Sequence, residues 1–331
     1  MNLIYSLVLF LILLFYITNI KFHLDNQTER FYQSNNLKLA IHTVFLPSEN
    51  IFFLEEWLNY HIHIGFTKFY LYDNDKGTQK EEKTCNKKCK DKINKYDIDF
   101  DSLFDSEYRN KIYKQILDKY KEYIVYIKWQ PRNKKNQIYY GQDRSIEEYI
   151  KKYKHENDWT AFIDIDEFII LKDKSYNSLK DFISSYDKKG FNKIVINQRK
   201  MIDRYCDLNS SIFDLNDSII INTESWANKS LCKNLDLSDE NLEGNFNIHS
   251  IKVNNKKELK CNENQLYFNH YNINKNQIGW MKYSFKKKSF KSGKNEDLSK
   301  FKSKLFDESV LKYRIFKKEH ANKIKDKCHV F

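Results

Sequence analysis

The run Trp159 to Leu171 (WTAFIDIDEFIIL) constrains this chain most, because it sets three carboxylates inside an otherwise apolar segment. Burying a carboxylate is costly unless a cation or a hydrogen-bond donor compensates it. The run has strand composition and is read as one very apolar strand. Alternation then projects Asp164 and Asp166 from one face and turns Glu167 to the other, in a structural role. Two carboxylates on one face form a hard-oxygen site for Mn²⁺ or Mg²⁺, ions that commonly bridge to a diphosphate. The bland alternative is a strand end whose acids reach solvent or pair with lysine.

The flanking segments supply a frame. Leu39 to Leu46 is β-branched and apolar, ending at Pro47-Ser48, which predicts a buried strand. Ile51 to Ile64 has apolar residues at helical spacing, and Gly65 stands where a helix ends. Lys68 to Tyr72 is a second strand and runs into Asp73-Asn74-Asp75. Strand, helix, strand with short links is a βαβ unit, so an α/β fold with a mostly parallel central sheet is expected. Open sheets of this kind bind ligands at the edge where both strands end. Residues 76–111 are rich in Lys and Asp and read as an insertion. Tyr123 to Trp129 is a third strand and Ser145 to Tyr153 a helix. Lys193 to Asn197 and Ser218 to Ile221 are further strands. A phosphatase of the haloacid-dehalogenase type also starts with Asp-x-Asp after an apolar strand. It wants a small hydroxyl residue or valine two positions on, where this chain has Phe168.

Charge and cysteine usage narrow the setting. The chain carries +12 over 331 residues, but residues 281–331 hold 15 Lys and 1 Arg against 6 acids, so the basicity belongs to the tail. Leu3 to Ile20 contains no charge and, at about 1.5 Å per residue, just spans a bilayer core. It reads as a signal anchor (residues 1–20), followed by a polar stem (21–38), a catalytic body (39–293) and a basic amphipathic tail (294–331). A cleaved signal peptide is the competing reading, though Ile17-Thr18-Asn19-Ile20 lacks a small-x-small cleavage site. Lys21 and Arg30 follow the segment and no basic residue precedes it, so charge alone does not support a lumenal body. Six cysteines, Cys85, Cys89, Cys206, Cys232, Cys261 and Cys328, form an even set suited to disulfides in an oxidising lumen. Sequons at Asn26, Asn209, Asn216 and Asn228 fit a glycoprotein.

Several of these motifs together resemble glycosyltransferase family 92. They are Ser48-Glu49-Asn50, FLEEWLNYHIHIGFTKFYLYDND, WTAFIDIDEFIIL and FNHY at 268–271, in the family's order across residues 40–290. The resemblance implies a GT-A-type nucleotide-sugar-binding fold, a UDP-sugar donor (UDP-galactose in characterised relatives), a divalent metal and inversion at the anomeric carbon. It places Asp73 at the uridine and Trp57, Tyr60 and His61 on the family helix, where core packing is the expected role. Gln142 and Arg144 line the nucleotide pocket or merely start an exposed helix. Asp166 holds the metal directly, Asp164 reaches ribose or acts through water, and His270 is the third metal ligand. Lys229 neutralises the diphosphate, its alternative being a surface position. Glu224, with Asp203 as second candidate, is the base for the acceptor hydroxyl. The segment after Tyr271 lacks the family's usual serine, and the Lys-rich stretch 76–95 has no counterpart.

The expected partners are a nucleotide-sugar donor, a glycan or glycoprotein acceptor and, through residues 3–20, a membrane of the Golgi or ER. No nucleic acid is expected, because the basic tail carries no recognition motif. An inactive sugar- or partner-binding module on the same fold is the alternative, set against by the presence of Asp164, Asp166 and His270.

Overall fold

The computed structural model describes residues 15–16, 36–74, 106–203, 218–221, 228–242, 248–271 and 290–292. In chain order the elements are β1 (Leu39–Phe45), α1 (Pro47–His63), β2 (Lys68–Asp73), α2 (Ser106–Lys119), β3 (Ile124–Lys128), α3 (Gln142–Tyr153), β4 (Trp159–Phe162), β5 (Glu167–Leu171), α4 (Leu179–Lys188), β6 (Lys193–Asp203), β7 (Ser218–Ile221), β8 (Lys229–Lys233), β9 (Glu258–Lys260), β10 (Leu266–Tyr271) and β11 (Phe290–Ser292). Two short 3₁₀ segments follow β8.

The expected βαβ unit is present. β1 pairs in parallel with β2, from Ala40 opposite Lys68 to Phe45 opposite Asp73. Pro47 opens α1, a position where its missing N–H costs nothing, and Gly65 leaves it at φ +111°. Alternation along β1 builds two cores, one on each side of the sheet. Leu39, Ile41 and Phe45 pack with Leu54 and Trp57 of α1, while Ala40 and Val44 pack with Ile146 and Tyr149 of α3.

β3, β2, β1 and β4 are parallel. Beyond β4 the sheet is mixed rather than mostly parallel, because β8 lies antiparallel between β4 and β6. β6 also runs farther than its apolar core Lys193 to Asn197 suggested. Its first half pairs with β8 and β9, and its second half with β10 and β7, to which β11 is added. One long strand thus belongs to two sheet regions, and the second region collects β5 as well.

Three expectations change here. The run Trp159 to Leu171 is two strands, β4 and β5, separated by a turn. Ser106–Lys119 is helical although it overlaps the stretch read as an insertion, and its Lys119 and Tyr120 bond Glu55 of α1 at 2.6 and 3.1 Å. Cys232 and Cys261 are free and buried; they sit in the two separate cores and so do not meet. The other four cysteines, the anchor at residues 3–20 save Phe15 and Tyr16, and the tail beyond residue 292 lie outside the described residues. Among the described residues no helix is long and apolar enough to cross a membrane.

Two histidines are part of this core. His42 on β1 and His61 on α1 are fully buried, and burial lowers each to about 3 from an ordinary value of 6.5. His61 shares its Nδ1 with the Trp57 carbonyl at 2.9 Å. Both are neutral when folded but take up protons when unfolded, so the chain loses stability as pH falls from about 6.5 towards 3. Denaturant melts across that range should show this loss, with a shallower slope in His42→Phe, which removes one such proton. An unchanged slope would show that His42 is not held neutral.

Candidate active site at the carboxyl edge of the sheet

The parallel strands β1, β2 and β4 end on one edge, and the polar residues that follow them gather there. β4 stops at Phe162 and β5 starts at Glu167, because the chain must leave the β1–β4–β8 neighbourhood and join β10. The intervening turn is closed by the Glu167 amide donating to the Asp164 carbonyl at 3.1 Å. In return the Asp164 amide donates to Glu167 Oε2 at 2.9 Å. The three acids therefore sit on a corner between two sheet regions, not along one strand. Glu167, expected to face away, turns inward with the others.

Helix α1 fixes this corner. Among the described residues β5 has a strand partner on one side only, and side chains of α1 supply the other. Trp57 Nε1 donates to the Glu167 carbonyl at 2.9 Å and Tyr60 Oη to the Ile169 carbonyl at 2.6 Å. The motif residues Trp57 and Tyr60 are thus core residues, as expected, and they also position the strand that leads out of the acidic turn.

Lys229, at the start of β8, is 1% exposed and lies between two of the acids. Its Nζ is 2.6 Å from Asp164 and 3.0 Å from Glu167. The surface position weighed for it is excluded. Burial opposes the charge on Lys229, but the Asp164 and Glu167 carboxylates outweigh it and hold the ammonium protonated above the ordinary lysine range. Burial likewise opposes ionisation of Asp164, yet Lys229 beside it keeps that carboxyl below the usual carboxylate range. Glu167 is 1% exposed, and burial pushes it up to about 7 despite Lys229. Asp164 and Glu167 share one ammonium, and Glu167 is the one that yields.

Asp166 and His270 form the second half of the cluster. The Tyr271 amide donates to the Asp166 carbonyl at 2.8 Å, and His270 Nε2 lies 3.3 Å from Asp166 Oδ2. β10 brings His270 opposite Glu167 in register. Burial works against a charged His270, but Asp166 outweighs it and raises the imidazole above its ordinary value. Its other nitrogen, Nδ1, meets the amide of Gln198 on β6. Neither Gln198 nor His249, whose ring bonds the Asn228 carbonyl at 2.9 Å, was singled out from sequence. The polar Asn197-Gln198-Arg199 within a β-branched strand was the available signal.

The remaining expected residues divide. Gln142 donates to Asp164 Oδ1 at 2.9 Å and so belongs to the cluster. Arg144 instead pairs with Glu147 at 3.0 Å on the helix surface, the exposed-helix outcome. Asp73, at the end of β2, is buried with its Oδ2 accepting from Tyr126 at 2.7 Å and Tyr113 at 3.2 Å. Asp203 ends β6 opposite Ser218, and nothing is described of its side chain. Glu224 lies outside the described residues.

The expected trio of Asp164, Asp166 and His270 does not close into one donor set. Among the described residues no group of three or more His, Cys, Asp or Glu side chains is arranged to hold a metal ion. Asp164 is spoken for by Lys229 and Gln142, which leaves the carboxylate of Asp166 and the imidazole of His270. That pair fits a hard or borderline divalent cation.

Residues 93–329, more than two thirds of the chain, match the family model described as Glycosyltransferase family 92. No curated protein matches the chain.

Proposed function

The chain belongs to glycosyltransferase family 92 and is a glycosyltransferase; on that premise we propose that it moves a hexose, galactose by the family resemblance, from a UDP-sugar to a glycan or glycoprotein with inversion. The reading rests on one observation above all: Asp164, Asp166, Glu167, Lys229 and His270 converge at the sheet edge where β1, β2 and β4 end. Ligands of open α/β sheets bind at that edge.

In this reading Asp166 and His270 would hold Mn²⁺ or Mg²⁺. The ion, when bound, offsets charge on the departing diphosphate. Asp73, held in place by Tyr113 and Tyr126, takes the uridine. Asp164, oriented by Gln142 and Lys229, accepts from a ribose hydroxyl or an ordered water. Lys229 serves by keeping Asp164 and Glu167 compatible in one buried corner, which differs from the diphosphate contact first expected of it. The acceptor hydroxyl loses its proton to a carboxylate, for which Glu224 is the first candidate and Asp203 the second. Its oxygen bonds the anomeric carbon from the face opposite the nucleotide as the bond to UDP breaks. Asp203 lies three residues beyond Lys200, the register partner of His270. That is about 10 Å along the strand. Residues 3–20 anchor the body in a Golgi or ER membrane.

Incubating the body with a panel of UDP-sugars and Mn²⁺, and measuring UDP release, tests the reading. Release is expected with one donor, UDP-galactose first among them. Silence with every donor would overturn it.

A further inference from the structure

The outer edge of β5 offers a second site, away from the acidic turn. Among the described residues β5 pairs on one side only, with β10. Lys172, just past its end, donates its amide to the Gln265 carbonyl at 2.9 Å, which sets the alternation of the whole segment. Phe168, Ile170 and Lys172 turn their main-chain groups towards β10, and Glu167, Ile169 and Leu171 turn theirs outward. Trp57 and Tyr60 cap the outward carbonyls of Glu167 and Ile169. At Leu171 this cover ends. Among the described residues nothing bonds its amide or its carbonyl.

A cavity of about 530 Å³ lies beside that uncovered stretch, walled by Tyr60, Ile64, Leu171, Tyr176 and Leu179. Lys172 and Lys174 stand exposed at its rim. The acid between them, Asp173, accepts from the Ser175 amide at 3.0 Å and from its hydroxyl at 2.6 Å, bonds that keep its carboxyl ionised. The rim thus carries two ammonium groups against one carboxylate, and Tyr60, Ile64, Leu171, Tyr176 and Leu179 supply the apolar part of the wall.

We propose that this edge binds an extended acidic polypeptide segment as an added strand. The Leu171 amide donates to a carbonyl of the segment, and the Leu171 carbonyl accepts from one of its amides. A side chain of the segment fills the cavity between Tyr60 and Tyr176, and its carboxylates meet Lys172 and Lys174. A glycan does not present a donor and an acceptor at the strand repeat of about 3.3 Å, whereas an extended main chain does. Leu171 is four residues from Glu167, about 13 Å along the strand, with Trp57 and Tyr60 between, so the segment docks beside the acidic turn and not across it. That the segment belongs to a glycoprotein acceptor rests on the transfer reading above; the binding itself does not.

The test needs neither donor nor metal. A fluorescent peptide of alternating Glu and Val is titrated against the full chain and its anisotropy followed. Saturable binding is expected. Replacing alternate amides of the peptide by esters, which keeps its shape but removes N–H donors, should weaken binding about tenfold or more. Lys172→Glu with Lys174→Glu should weaken it similarly. Leu171→Pro deletes an outward amide at an edge position where proline is tolerated, and should do likewise. Should the proline variant fail to fold, the ester peptides against the unaltered chain decide the matter. No saturable binding, equal binding of the ester peptide, equal binding of a Lys–Val peptide, or displacement by neutral oligosaccharide would each overturn the proposal.

Discussion

Asp166→Ala is expected to cut UDP release by about 10³-fold, equivalent to about 4 kcal/mol of lost transition-state stabilisation. Asp166 and His270 are the donors left once Asp164 is committed to Lys229, so removing the carboxylate leaves the imidazole alone. The fold should survive, because the Asp166 main chain still accepts from the Tyr271 amide and its turn is closed by Glu167 and Asp164. The check pairs kinetics with a direct readout: Mn²⁺ titration followed by electron paramagnetic resonance should show binding in the unaltered protein and a loss of about 100-fold or more in the variant. Activity that persists with unchanged Mn²⁺ affinity would move the metal away from Asp166.

Lys229→Met should be the most destabilising single substitution at the site, costing about 3–5 kcal/mol in a urea melt. The side chain is 1% exposed, and Met preserves most of its bulk, so the loss reports on charge rather than on a cavity. Without the ammonium, the buried Glu167 carboxyl is left among Asp164 and Asp166 with no cation but the imidazole of His270. Since burial already pushes Glu167 up to about 7, adding Glu167→Gln to the lysine variant should recover half or more of the loss. A lysine variant that loses less than about 1 kcal/mol, or a double variant no better than the single one, would contradict the assigned role.

The frame that carries these residues was largely legible in the sequence. β1, α1 and β2 follow from local apolar periodicity, a proline that closes the first strand and a glycine at the helix end, although the helix starts at Pro47, four residues before the periodic run at Ile51. Those signals act over a few residues and need no tertiary context. The acidic turn was not legible in the same way. WTAFIDIDEFIIL reads as one strand because the apolar residues on either side of the acids belong to buried strands. Only the pairing of Ala161 and Phe162 with β1 and β8, and of Phe168 onward with β10, shows that the chain turns between them. Period-two alternation therefore misplaced Glu167, which joins Asp164 at Lys229. Two of the cysteines show a related effect: an even count suggests pairing, but Cys232 and Cys261 are free and lie in separate cores.

What the sequence determined by itself is a set of candidate polar groups and the kind of edge they occupy. Asp73 stands at a strand end, Asp164 and Asp166 stand within an apolar run, and His270 stands in Asn-His-Tyr, all read from composition, spacing and family resemblance. What only the tertiary structure decided is the partnership among them. Lys229 is separated from Asp164 by 65 residues and His270 from Asp166 by 104, yet both pairs are in contact. Such contacts are products of strand order, since β8 lies beside β4 and β10 beside β5. Burial then fixes which carboxyl keeps its charge and which gives way, a property no single residue carries along the chain.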